Sequence, residues 1–168
     1  MSIEIESYIA KTKDFVIRDI NKMDESLFLN VAAIQEVDKK KIDSNYIYGV
    51  LLIKYNGAVI LGFKEYDLID QLLMYFVDAI EKFKENSEVE FSFPDQPFPV
   101  RIEKKGGDFC TLSLNDQKTA LPETDFIRSM LEAAEFFFNQ LLLLFPEEHF
   151  FIKQNIDDID KVKKKYGV

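Results

Sequence analysis

Histidine, cysteine and tryptophan are nearly missing from this chain: its 168 residues hold one histidine (His149), one cysteine (Cys110) and no tryptophan. One histidine cannot supply the paired ligands of helix-borne zinc and di-iron sites, and one cysteine cannot close an internal disulfide. Glycine and proline are sparse too, at six and five residues, which leaves little room for long linkers. Neither Asn56-Gly57 nor Gly106-Gly107 extends to a phosphate-cradling glycine pattern, so both read as turns and no cofactor is expected. Long apolar runs are also lacking. The longest, residues 136–145, is interrupted by Asn139 and Gln140 and falls short of the roughly 20 residues that cross a bilayer. Residues 1–10 mix apolar and acidic side chains instead of showing a basic start and a cleavage site, so the expected location is cytoplasmic.

What is present is a core. Apolar residues make up 47% of the chain, with sixteen Phe and seven Tyr, a composition far from that of disordered segments. A chain of this length buries about 70% of its unfolded surface, enough for one domain over residues 1–168 without disulfide or metal.

The net charge of −9 is unevenly spread. Residues 1–60 carry nine acids and eight bases, residues 61–150 eighteen and eight, and residues 151–168 three and five. The acidic body repels nucleic acid and anionic lipid and steers basic partners toward it, although the same charge also serves solubility.

Periodicity gives the elements. Ile3, Ile5 and Ile9 alternate with Glu4 and Glu6 as in a half-buried strand, and residues 15–20 and 27–37 are further strand candidates. Asn56-Gly57 between residues 46–55 and 58–63 marks a β-hairpin, since both positions tolerate positive φ. Within it Val50, Leu51, Leu52 and Ile53 form an unbroken apolar run, which suits a central strand covered on both faces.

Over residues 67–84 the period lengthens. Ile69, Leu72, Leu73, Phe76, Ile80 and Phe83 predict an amphipathic helix with Asp67 as N-cap and Asp70 in its first turn. Residues 88–93 and 100–104 read as strands joined by a stiff loop, Phe93-Pro94-Asp95-Gln96-Pro97-Phe98-Pro99, and Gly106-Gly107 turns into a strand over 109–114. Pro122 opens a long helix to about Phe145, apolar nearly all round at its end, so that end is either enclosed or meets a second subunit. Acids at 157–160 followed by Lys161, Lys163, Lys164, Lys165 and Gly167 suit a short closing helix. The expected fold is therefore α+β, a largely antiparallel sheet of six to eight strands with two long amphipathic helices on one face and a short C-terminal helix.

Little of this carries chemistry. Glu147-Glu148-His149 is a row of adjacent loop residues that does not converge on an ion, and no metal is expected. Alternation puts Cys110 on an apolar face with Leu112 and Leu114, as a structural cysteine and not a nucleophile. Asp78, Glu81 and Glu85 on the first helix, and Glu132 with Glu135 on the second, lie on polar faces, not in the split environments that acid–base catalysis needs. The expectation is that the chain is not an enzyme.

A recognition surface remains, built from Asp78, Glu81, Glu85, Glu132 and Glu135 with Asp95, Gln96 and Phe98 of the proline-rich loop. There an aromatic anchor would supply affinity and the acids would steer. The alternative for Phe93 and Phe98 is that both cap the core.

The order of hairpin, amphipathic helix, strand ending in Phe93-Pro94-Asp95-Gln96-Pro97, hairpin and Phe/Leu-rich helix resembles the layout of small acidic bacterial proteins, some of them immunity proteins of polymorphic toxin systems. It is carried by residues 48–63, 67–83, 93–99 and 126–142, about a third of the chain. The resemblance implies a protein partner, a basic toxin inhibited by stoichiometric binding, with no shared catalytic residues. The other reading is a structural homo-oligomer, a homodimer for example, assembled through the apolar end of the second helix.

Overall fold

The apolar run Val50–Ile53 occupies the middle of a sheet, where both of its faces are covered. In the computed structural model, which describes residues 2–13 and 24–168, this run belongs to β3 (Tyr48–Tyr55). β3 lies between β1 (Ile3–Ala10) and β4 (Ala58–Leu61), and β2 (Phe28–Asn30) pairs with the far side of β1. A two-residue strand, β5 (Asp67–Leu68), also pairs with β3 at Tyr48 and Gly49. A second sheet runs β6 (Glu88–Ser92), β7 (Pro99–Lys105), β8 (Phe109–Leu114) and β9 (Gln117–Pro122) in sequence order. All pairings are antiparallel. With α1 (Ile69–Phe83), α2 (Glu123–Leu144) and α3 (His149–Tyr166) the fold is α+β.

Two sheets replace the expected single one. β9, which sequence periodicity does not reveal, completes the second sheet and runs straight into α2. The turn before it has Asn115 at φ 53°, a left-handed position that asparagine tolerates. The hairpin at Asn56-Gly57 forms as expected, with φ of 49° and 81°.

One core joins nearly every layer. Ile9, Leu51 and Ile53 of the first sheet, Val100, Ile102, Leu112 and Leu121 of the second, and the apolar faces of all three helices belong to the same buried cluster. The other face of the first sheet makes a smaller cluster from Tyr8, Ala10, Val50 and Leu52 under Phe28. Phe63 closes it, its ring 5.0 Å from that of Tyr8 and 5.7 Å from that of Phe28.

Three expectations about local structure need correction. The alternation over 27–37 yields only the three residues of β2, after which Val31–Glu36 winds into a 3-10 turn. The Asn30 side chain accepts the Ala32 N–H there, and Val31 and Ile34 are buried three apart, so a period of three is hidden within an apparent period of two. Asp67 is not the N-cap of α1: that position is Leu68, and the Ile69 N–H donates to the Ile47 carbonyl. The closing helix begins at His149, earlier than its acid-to-base gradient suggests, and runs 18 residues to a left-handed Gly167 cap. The strand expected over 15–20 lies outside the described residues.

Close approach of α1 to the first sheet rests on Gly49. A Cβ there would lie 2.1 Å from the Tyr8 carbonyl oxygen and 2.7 Å from Ile69 Cγ2. Neither can give way without separating β1 from β3 or lifting the start of α1. Gly49→Ala should therefore cost about 3 kcal/mol or more, read as a lowered midpoint in urea denaturation. A midpoint unchanged from the parent would show that the sheet absorbs the methyl group.

Candidate functional site

A cleft of about 310 Å³ opens where the start of α1 meets the end of α2 and the first turns of α3. Its walls are apolar, formed by Phe138, Leu141 and Phe145 from α2 and its end and by Phe151 and Ile152 from α3, with Ile47 from the strand-entry loop. Its polar groups are Ser44, Asn45, Asn155, Asp70 and Glu148. The α2–α3 turn at Pro146 makes this geometry, because it folds the two helices back on each other and leaves their joined end facing Asp70.

Asp70 sits there at a cost. Its Oδ1 is buried and has no protein hydrogen-bond partner. Loss of solvent pushes its carboxyl up from 3.8 to about 6, although the backbone N–H groups of Gln71 and of Asp70 itself pull the other way. A first-turn aspartate in water would be favoured by the helix dipole, so desolvation here outweighs a stabilising field. Chemically, the carboxylate can pair with a cation or accept a proton near neutrality. Among the described residues, the cleft adds one further titratable side chain, Glu148, and its lining has no Lys, Arg, His or Cys.

An aromatic side chain stands at the rim: Phe151, on the first turn of α3, is 66% exposed, and its ring meets that of the neighbouring Phe150, 68% exposed, edge to face with centroids 5.5 Å apart. Their only signal in the sequence is their place just beyond the proline that ends α2. Leu143 and Phe136 of α2 are exposed as well, at 61% and 46%, so the end of α2 is enclosed on most sides but not all.

The acidic residues expected to form a partner surface are distributed differently. Glu81 and Glu85 approach Lys165 Nζ at 3.9 and 3.2 Å, and Glu135 accepts from Lys163 at 2.7 Å. The basic end of α3 thus covers part of the acidic faces of α1 and α2. Asp78 is exposed, and its carboxyl is raised by partial burial and by the charges of Glu81 and Asp158, against the pull of Lys82. Glu132 is exposed on α2.

The proline-rich loop is held from behind instead of projecting. Fully buried Asp67 accepts the Leu68 and Asp95 backbone N–H groups at 2.6 and 3.0 Å, and burial, the largest influence, raises its carboxyl. The Tyr48 hydroxyl donates to Asp95 Oδ2 at 3.1 Å, and the Gln96 side chain donates to the Tyr66 carbonyl. Phe98 does not stand out as an anchor. It is half-buried, its ring 4.6 Å from that of buried Phe93, so both cap the core.

Cys110 is wholly buried, and burial followed by the charge of Glu123 pushes its thiol up to about 12, which keeps it protonated at neutral pH. Among the described residues no group of three His, Cys, Asp or Glu side chains is placed to hold a metal ion, and no helix is long and apolar enough to cross a membrane.

No family model, curated protein or solved structure matches this chain.

The raised Asp70 carboxyl has a stability consequence of definite sign. The folded state binds its proton more tightly than the unfolded chain, so stability declines as pH rises from about 4 to 6 and stays lowered above that. Asp70→Asn removes the burdened charge. It should stabilise the protein by about 2 kcal/mol at pH 7.5 and change little at pH 4, measured by urea denaturation at the two values. Equal effects at both would show that Asp70 does not titrate in this range.

Proposed function

We propose that this chain is a non-enzymatic protein-binding domain whose partner is basic, and that it engages the partner through the aromatic-rimmed cleft at the joined ends of α2 and α3. The observation that carries this reading is the exposed pair Phe150 and Phe151, of which Phe151 lines a cleft whose charged groups, among the described residues, are acidic. Large apolar side chains set next to each other in water mark interaction surfaces, and aromatic residues dominate binding energy where they enter a partner's pocket. The net charge of −9 supplies steering toward a basic surface, without requiring any acid to be buried.

The likeness in layout to immunity proteins gives this role a form, inhibition of a basic toxin by covering its surface. The acids Glu81, Glu85 and Glu135, tied to α3, serve that role less directly than Glu132, Asp78 and the cleft itself.

A second reading, self-association, is favoured by exposed Leu143 and Phe136 on the same end of α2. It predicts light scattering at a multiple of 19.6 kDa that falls to the monomer value in Leu143→Glu.

The deciding experiment is capture from a lysate of the source organism at low salt, run in parallel with the parent chain and the Phe150→Ser/Phe151→Ser variant, with elution by a salt gradient. A basic protein retained by the parent and lost by a variant of equal melting temperature is the expected result. Identical retention by both would sink the proposed surface, and a change confined to the light-scattering mass would assign it to a second copy of the chain.

A further inference from the structure

We propose that the cleft is the socket for a lysine side chain of the partner, with the Asp70 carboxylate as counter-ion to the inserted ammonium group. This deepens the protein-binding reading and rests on it.

The fit is specific to that side chain. At about 310 Å³ the cleft lies at the small end of ligand pockets, the size for one inserted side chain instead of an extended ligand. Its apolar walls, Phe138, Leu141, Phe145 and Ile152, suit a methylene stem, which lysine buries readily while its charged head finds polar partners. At the polar end Asp70 lines the cleft, and its Oδ1 is enclosed with no hydrogen-bond partner among the described residues. A single carboxylate set in apolar walls suits the compact point charge of an ammonium better than the planar fork of a guanidinium. An ammonium has three donors, and Ser44, Asn45 and Asn155, which carry oxygen acceptors, line the same cleft.

Charge supports the assignment. Among the described residues, the charged groups of the lining are Asp70 and Glu148. The base that comes near, Lys39, is paired with Glu147 and lies 5.4 Å from the centroid of the Phe145 ring. An acid kept in an apolar cleft at a cost in stability, with no base among the described residues of the lining, is the arrangement expected where a cation arrives from outside.

The test is an amide-resonance titration of the full chain and of Asp70→Asn with n-hexylammonium chloride, n-hexanol, and the capped tripeptides Gly-Lys-Gly and Gly-Arg-Gly. Saturable shifts at Asp70, Phe151 and Asn155 are expected with hexylammonium and the lysine peptide, weakened about tenfold or more in Asp70→Asn, and with no comparable loss for hexanol. Between pH 5 and 7.5 the parent's affinity for hexylammonium should rise roughly tenfold as Asp70 ionises, while that of Asp70→Asn, which retains Glu148, should stay nearly flat. Absence of saturable shifts, or equal affinity in Asp70→Asn, would overturn the socket. Binding of hexylammonium without the lysine peptide would overturn lysine as its source in favour of a small free amine. These outcomes are independent of partner capture, so a socket that fails while Phe150→Ser/Phe151→Ser still abolishes capture leaves the protein-binding reading standing alone.

Discussion

The main core is arranged around a helix whose buried stripe no single neighbour can cover. Over its 22 residues α2 buries Phe126, Ile127, Met130, Leu131, Ala134, Phe137, Phe138 and Leu141, a set too wide for one neighbouring sheet to cover. The first sheet covers part of it, the second reaches it through β8 and β9, and α1 lies alongside. What remains is closed by α3, whose Ile152, Ile159 and Val162 complete the same core. The last helix is therefore structural before it is anything else. Its basic end then meets Glu135 of α2 and Glu81 and Glu85 of α1, so the contrast between an acidic body and a basic tail is partly an internal match. Exposed ion pairs of this kind add little stability. Their stronger effect is on register, since they favour the docking in which Lys163 and Lys165 face acids.

Sequence patterns reveal what depends on local chemistry and miss what depends on tertiary context. The Asn56-Gly57 hairpin, the apolar stripe of α1, the stop at Pro146 and the glycine cap at Gly167 each follow from a residue whose backbone preferences decide the matter. Where two periods fit the same letters, as at Asn30 to Ile34, the competition is settled by a side-chain cap and not by hydrophobic spacing. β9 is short, and its exposed Gln117 and Lys118 with half-buried Thr119 and Ala120 give no alternation. It is a strand because β8 offers it an edge.

The candidate site was legible in its absences more than in its residues. Acidity, the scarcity of metal and nucleophile side chains and the buried cysteine can all be read from composition and alternation. Asp70 cannot, because a first-turn aspartate looks the same on paper whether its helix starts in solvent or against the folded-back end of another helix. Nor can Phe150 and Phe151, whose exposure depends on where the turn at Pro146 points them. The proline-rich loop illustrates the opposite error. Its composition suggests display, yet Asp67 binds its backbone from below and Phe93 with Phe98 folds its aromatic content inward.

The two aspartates at the start of α1 show how differently a buried carboxylate can be used. Asp67 is completely enclosed, and its Oδ1 accepts two backbone N–H groups while its Oδ2 has no partner among the described residues, so its desolvation is offset in part by loop architecture. Asp70, three residues on, is pushed up to about 6 by burial, its Oδ1 likewise has no partner among the described residues, and its side chain lines the cleft. An asparagine in that position would relieve the charge at the loss of a favourable interaction with the helix dipole. The same residue type, three positions apart on one helix start, is thus used for loop architecture at Asp67 and left facing a cleft at Asp70, where its desolvation costs stability without a compensating donor from the described residues.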